Sequence, residues 1–310
     1  MRRQLDFVAE DGTIFRGFIH SSGEVPAPGI VMAHGFSGVK EQIDHYASSF
    51  ARAGFTVLVY DHRGFGASAG MPRLEVDAER QLSDWRDAIT FFLAQPEVEA
   101  DTGVGVWGSS FAGGLAMMLG ATDRRVRCVV SQIPHVSGAR NGRQMFSVAQ
   151  RKRLREHIDA DRIARLSGAE PRRLPVFSPK PDGYCALTPP MSAKYIRAAE
   201  EAVPSWQNEV TLRSVENMVN VEPAGWAPYI SPTPFMMIVG AKDTCTFPEH
   251  QIDAFHQARE PKRLVIHPGG HFDTYTEQFE RTSRAALEWF EQHLRPVVAT
   301  GEKAEPASVA

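Results

Sequence analysis

The sequence predicts an α/β protein: a mostly parallel central sheet with helices on both faces, and a helical cap inserted after the sixth strand. Three observations predict it. Short uninterrupted apolar runs alternate with helical stretches over residues 1–137, as strands covered on both faces do. That alternation stops over residues 138–231 and then resumes. A turn of small residues built around a serine joins the fifth strand to the helix after it.

The elements follow in order. Residues 4–9 and 13–20 are β-patterned and meet at Asp11-Gly12, an Asp-Gly turn signal, so they form an antiparallel hairpin at the sheet edge. Residues 29–33 are a short buried strand, 42–53 a helix and 56–60 another buried strand. Over 76–95, Leu82, Trp85, Ile89 and Phe92 share one helical face, and Pro96 follows the end. A strand at 103–107, a short helix at 110–119 and a strand at 126–131 complete the first half. The insertion offers helical segments at 145–157, 192–202 and 208–219 and no convincing strand. Strands return at 234–239 and 263–266, and a last amphipathic helix carries Phe279, Ala286, Leu287, Phe290 and Leu294. The expected organisation is one sheet domain from residues 1–137 and 232–295, a cap from 138–231, and a disordered tail at 296–310, rich in Ala, Pro, Glu and Lys.

Composition narrows the function. A chain of 310 residues with 43% hydrophobic and 23% charged residues is an ordinary globular sequence. Its formal net charge of −3 points to neither nucleic acid nor a membrane surface as a partner. No apolar stretch approaches the ~20 residues of a membrane helix, and Arg2 and Arg3 are not followed by the apolar run of a secretory signal. Cys128, Cys185 and Cys245 have no metal-ligand spacing and make no disulfide framework. A cytoplasmic protein without metal or cofactor is expected, and a homodimer on general frequency.

The chemistry is carried by Val106-Trp107-Gly108-Ser109-Ser110-Phe111-Ala112. A sharp strand-to-helix turn holds its central residue in a strained conformation, which requires small residues two before and two after it. For Ser110 these are Gly108 and Ala112; for Ser109 they would be Trp107 and Phe111. Ser110 is therefore the expected nucleophile. A serine needs a base, and the base an orienting carboxylate. Where the nucleophile sits on such a strand-to-helix turn, the order is serine, acid, histidine. Asp243 follows the strand at 234–239 and His271 follows the one at 263–266, with Gly269 and Gly270 supplying the turn. Among rivals, His267 belongs to its strand, Asp253 to a helical stretch, and Asp273 is expected to cap the last helix. The oxyanion donors are expected to be the backbone N–H groups of Phe36 and Phe111.

These motifs resemble the α/β-hydrolase superfamily: Ala33-His34-Gly35-Phe36, Tyr60 through Ser68, Gly108 through Ala112, Gly240 through Asp243, and Gly270-His271. Gly35 through Lys40, Asp61-His62-Arg63, Trp107 through Ser110 and Asp123 through Val126 are similar to the branch of fungal polyketide transferases, thiohydrolases and bacterial dienelactone-hydrolase-like enzymes. The resemblance implies a Ser-His-Asp enzyme acting on a hydrophobic ester, thioester or lactone without a cofactor, by hydrolysis or by acyl transfer. Dienelactone hydrolases proper carry cysteine where this chain has Ser110.

Within the insertion, Phe146, Met191, Tyr195, Trp206 and Trp226 are candidate walls of a pocket over Ser110. Its basic run (Arg140, Arg143, Arg151, Lys152, Arg153, Arg155) reads as a solvated face paired with Glu156, Asp159 and Asp161, or as a docking patch for an acyl-carrier protein. Arg63 is expected to pair with a carboxylate.

Overall fold

Pairing starts at the Asp11-Gly12 turn. Gly12 takes a φ of 81°, and Asp11 Oδ1 accepts the Thr13 N–H at 3.0 Å. This closes β1 (Arg2–Val8) antiparallel on β2 (Ile14–His20). The computed structural model describes residues 1–23, 26–180, 183–188 and 193–295. Met191 and the expected tail at 296–310 lie outside the described residues, as does the side chain of Tyr195.

The main sheet has eight strands. β3 (Gly29–Ala33), β4 (Thr56–Tyr60), β5 (Val104–Ser109), β6 (Val126–Gln132), β9 (Phe235–Gly240) and β10 (Lys262–His267) join the hairpin in the order β1-β2-β4-β3-β5-β6-β9-β10. The β1–β2 and β2–β4 pairs are antiparallel and every other pair is parallel. Residues of β3 and β4 alternate between two cores. Val31, Ala33 and Leu58 pack with α2 (Ala78–Leu93) and α3 (Phe111–Thr122). Ile30, Met32, Val57 and Val59 pack with α1 (Asp44–Arg52) and α9 (Phe279–Leu294). Burial on both faces is why these strands read as unbroken apolar runs.

The stretch between β6 and β9 holds α4 (Gly138–Met145), α5 (Val148–Leu166), α6 (Ala193–Ala202) and α7 (Leu212–Asn220). It departs from expectation in two ways. The helix expected over 145–157 begins at Val148, where Ser147 caps it with a capping box to Gln150, and runs on to Leu166, and a separate helix, α4, precedes it. The insertion also holds a small antiparallel sheet, β7 (Arg173–Pro175) with β8 (Glu209–Thr211), so the helix expected at 208–219 begins only after the Thr211 cap. Strands of three residues, one ending on proline, leave no period to read. That small sheet ties the insertion to the main domain. Leu74 O accepts the Thr211 N–H at 2.9 Å, and buried Glu75 takes Arg213 in a forked pair whose Nε contact is 2.8 Å. α8 (Pro248–Gln257) carries Asp253, which pairs with Arg140 at 2.8 Å.

Candidate active site

Parallel strands bring their C-terminal ends to one edge, where their loops meet. β5 ends at Ser109, β9 at Gly240 and β10 at His267, and Gly240 is in register with His267. The loops carrying Ser110, Asp243 and His271 therefore share that edge.

Ser110 sits at the apex of the strand-to-helix turn with φ 57° and ψ −119°, a left-handed conformation costly for a non-glycine residue. Its N–H donates to Gln132 O at 2.8 Å, which anchors the turn on β6. Gly108 is required: a Cβ there would lie 2.2 Å from Ala112 O. Ser109 points elsewhere; it is fully buried, and its hydroxyl pairs with Tyr275 OH at 2.7 Å.

Ser110 Oγ lies 3.0 Å from His271 Nε2, and His271 Nδ1 lies 2.8 Å from Asp243 Oδ2. The carboxylate is clamped from its other side. Oδ1 accepts the N–H groups of Cys245 and Thr246 at 2.7 and 2.9 Å, and Oδ2 accepts the Thr246 hydroxyl at 2.7 Å. Burial pushes the Asp243 carboxyl up, but the His271 charge and hydrogen bond and the Thr246 bonds outweigh it and leave it below its ordinary value. A carboxylate acceptor at Nδ1 puts the imidazole proton there and leaves Nε2 free to take the Ser110 proton. Ligand atoms of Asp243, Cys245 and His271 come within 4.8 Å of one another. The carboxylate is already committed to His271 and Thr246, and burial pushes the Cys245 thiol well up, so the three do not present an open ligand set.

Of the two residues expected to supply amides, Phe111 directly follows Ser110 and Phe36 lines the same cavity as Ser110. Phe111 opens α3, so its N–H has no helical carbonyl to reach. Phe36 lies in the loop after β3, its ring 6.0 Å from that of Phe111. Gly35 lets this loop press on the turn: a Cβ there would sit 3.0 Å from Ser110 Cβ and 3.5 Å from its Oγ. Buried His34 shapes the loop. Its Nε2 accepts the His62 N–H at 3.0 Å, so Nδ1 carries the proton and donates to Gly35 O at 3.0 Å. Gly35→Ala is expected to displace the Phe36 amide by a few tenths of an ångström and lower kcat by about 10–10²-fold with the fold retained. Steady-state kinetics with a melting curve checks this.

His267 is buried, accepts the Gly269 N–H at Nδ1 (3.2 Å) and pairs through Nε2 with Thr274 at 2.9 Å. Asp273 does not cap the last helix. Its carboxylate accepts the Gly270 N–H at 2.7 Å and steadies the His271 loop, while Gln278 precedes α9. Arg63 takes Asp84 through Nε at 2.7 Å and also Asp11 at 2.9 Å.

A cavity of about 410 Å³ opens over Ser110. Trp206 lines it, as expected of the insertion, but Phe146 and Trp226 do not. Phe146 closes α4 and is buried among Leu154 and Tyr184 inside the insertion. Trp226 lies 39% exposed on a 3₁₀ segment, beside Tyr229. The apolar wall is instead Phe177, Leu187, Ile196, Val203 and Trp206, with Phe272 from the histidine loop. Sequence reasoning passed over these because scattered aliphatic side chains in short helices carry no distinguishing pattern. It also assigned no role to Thr246, or to buried Lys40, whose Nζ donates to Asp61 at 2.6 Å and ties the Phe36 loop to the loop after β4.

An eight-stranded, mostly parallel sheet with a serine turn after β5 and a histidine loop after its last strand has the architecture of an α/β hydrolase, a class of hydrolytic and acyl-transfer enzymes. Residues 16–273 match the model of the X-Pro dipeptidyl-peptidase (S15 family), and the chain belongs to that family. A thiohydrolase, aneE of Aspergillus aculeatus, is 32% identical over 266 residues, covering 84% of this chain and 83% of its own. A polyketide transferase, grgF of Penicillium sp, is 30% identical over 295 residues, 94% of this chain and 97% of its own. The crystal structure of the alpha/beta hydrolase GrgF from Penicillium sp. sh18 superimposes with a TM-score of 0.82 at 29% identity, covering 95% of this chain and 99% of that one. No helix among the described residues is long and apolar enough to cross a membrane.

Proposed function

We propose that this enzyme is a serine hydrolase that cleaves a thioester, carboxylic ester or lactone of a hydrophobic acyl substrate through an acyl-enzyme on Ser110. The observation that carries the reading is the unbroken relay from Ser110 Oγ to His271 (3.0 Å) and on to Asp243 (2.8 Å), with Ser110 and His271 lining the cavity. Ser110 Oγ attacks the carbonyl carbon as its proton passes to His271 Nε2. The N–H groups of Phe36 and Phe111 stabilise the oxyanion, and Asp243 stabilises the imidazolium. The carbonyl–sulfur or carbonyl–oxygen bond then breaks, and the leaving group takes the proton from His271. Water repeats the sequence: His271 accepts its proton, the hydroxyl joins the acyl carbon, and the acid departs as Ser110 recovers its proton. The apolar wall favours an apolar acyl chain. Three buried cysteines without disulfides suit a cytoplasmic setting.

A second reading is acyl transfer, in which an alcohol or amine captures the acyl-enzyme. The polyketide transferase relative favours it. Product analysis of a thioester reaction with and without an added alcohol decides between them: free acid alone in both supports hydrolysis, and a new ester supports transfer. Failure of a fluorophosphonate to label the wild-type protein would remove both.

A further inference from the structure

One cavity wall has a charge that the acyl-enzyme chemistry does not use. Among the described lining residues Glu41 is the one acidic side chain, and none is lysine or arginine. Glu41 Oε1 pairs with Lys40 Nζ at 2.9 Å, but that ammonium is shared with Asp61 at 2.6 Å. The Lys40 side chain is only 4% exposed and that of Asp61 is fully buried, while the Glu41 side chain is 36% exposed. An incoming group therefore meets the Glu41 carboxylate before the cation behind it. Burial raises the Glu41 carboxyl, yet its bonds to Lys40 and Ser205 outweigh this and hold it below the ordinary value. Arg73, which lies in the loop after β4, donates to Gly66 O at 2.8 Å and to Ser68 O and does not line the cavity. Glu41 Oε2 accepts the Ser205 hydroxyl at 3.1 Å, and Ser205 adjoins Trp206 of the apolar wall.

We infer that Glu41 is a charge filter: the cavity takes substrates that are neutral or cationic where they face this wall, and rejects those bearing an anion there. A carboxylate in a half-buried wall acts through a lower effective dielectric than water, and salt screens it less than it screens an exposed charge. Ser37, Gln42 and His45, close to Glu41 in sequence, also line the cavity and add polar groups to the stretch that carries it. The inference rests on the acyl-enzyme reading above and adds the electrostatic class of its substrate.

The test is kcat/KM for two matched thioester sets. The first holds the acyl group as hexanoyl and varies the thiol: N-acetylcysteamine (neutral), thiocholine (cationic) and 3-mercaptopropionate (anionic). The second holds N-acetylcysteamine and varies the chain end: methyl, trimethylammonio and carboxylate. In the set whose varied group reaches Glu41, the anionic member is expected to be slower than the others by about tenfold or more. Glu41→Gln is expected to bring that ratio to within about twofold of unity. Ser205→Ala removes the hydroxyl but keeps the charge, and should leave the ratio in place. Equal rates across both wild-type sets, or a ratio that Glu41→Gln does not move, would overturn the charge filter while leaving the acyl-enzyme intact. Absence of both thioester turnover and Ser110 phosphonylation would overturn the reading beneath it.

Discussion

Replacing Ser110 with alanine is expected to lower kcat on a neutral thioester by about 10⁵-fold or more and to abolish labelling by a fluorophosphonate. Ser109→Ala should still be labelled. The two hydroxyls are one residue apart but lie in different surroundings. Ser110 Oγ is 3.0 Å from the imidazole and lines the cavity, whereas Ser109 Oγ is fully buried against Tyr275 OH at 2.7 Å. Only the first can meet a substrate and a base together. The costs should differ in kind as well. Ser110→Ala leaves a small side chain in the same strained turn, so stability should move by no more than about 1 kcal/mol. Ser109→Ala strands the buried Tyr275 hydroxyl, which costs about 1–3 kcal/mol. Gel labelling, kcat and melting curves of the two variants separate these outcomes. Labelling that survived in Ser110→Ala and vanished in Ser109→Ala would reverse the assignment.

That contrast between the two serines was legible in the sequence. The requirement for small residues at two positions around the turn is local, so Gly108 and Ala112 identified the apex from sequence. The loops of Asp243 and His271 could be placed because each follows a buried strand, and a parallel sheet sends all such ends to one edge. Properties set by contacts distant in sequence were not readable. The roles of Phe146 and Trp226 depend on how α4 turns into α5 and on which side of a 3₁₀ segment meets solvent. Neither leaves a period in the sequence. The short strands at 173–175 and 209–211 were invisible for the same reason. The role expected of Asp273 failed because helix N-termini and tight loops recruit the same side chain, and the Gly270 amide lay nearer than α9. Lys40 and Asp61 stood in recognisable motifs and Glu41 in none, and only their meeting in space gives them a shared charge.

Asp243→Asn is expected to lower kcat by about 10⁴-fold, with KM changing little and the fold retained. The reason lies in which way the new amide must face. Asp243 Oδ1 accepts two backbone N–H groups, from Cys245 at 2.7 Å and Thr246 at 2.9 Å. An asparagine keeps both bonds only by placing its carbonyl oxygen there. Its NH₂ group then occupies the position of Oδ2, 2.8 Å from His271 Nδ1. A donor at that position forces Nδ1 to accept, so the imidazole carries its proton on Nε2 and cannot take the Ser110 proton. The opposite rotamer would aim the NH₂ group at two amide donors and leave both buried without acceptors, at about 1–3 kcal/mol each. The clamp that positions the carboxylate thus selects the inactive orientation of its amide analogue. Asp273→Asn makes the control: that side chain contacts the Gly270 N–H rather than His271, so a loss within about tenfold is expected. Kinetics of both variants with one thioester tests the pair. Asp243→Asn retaining more than a tenth of wild-type kcat, or Asp273→Asn losing the larger share, would show that His271 takes its orientation from elsewhere.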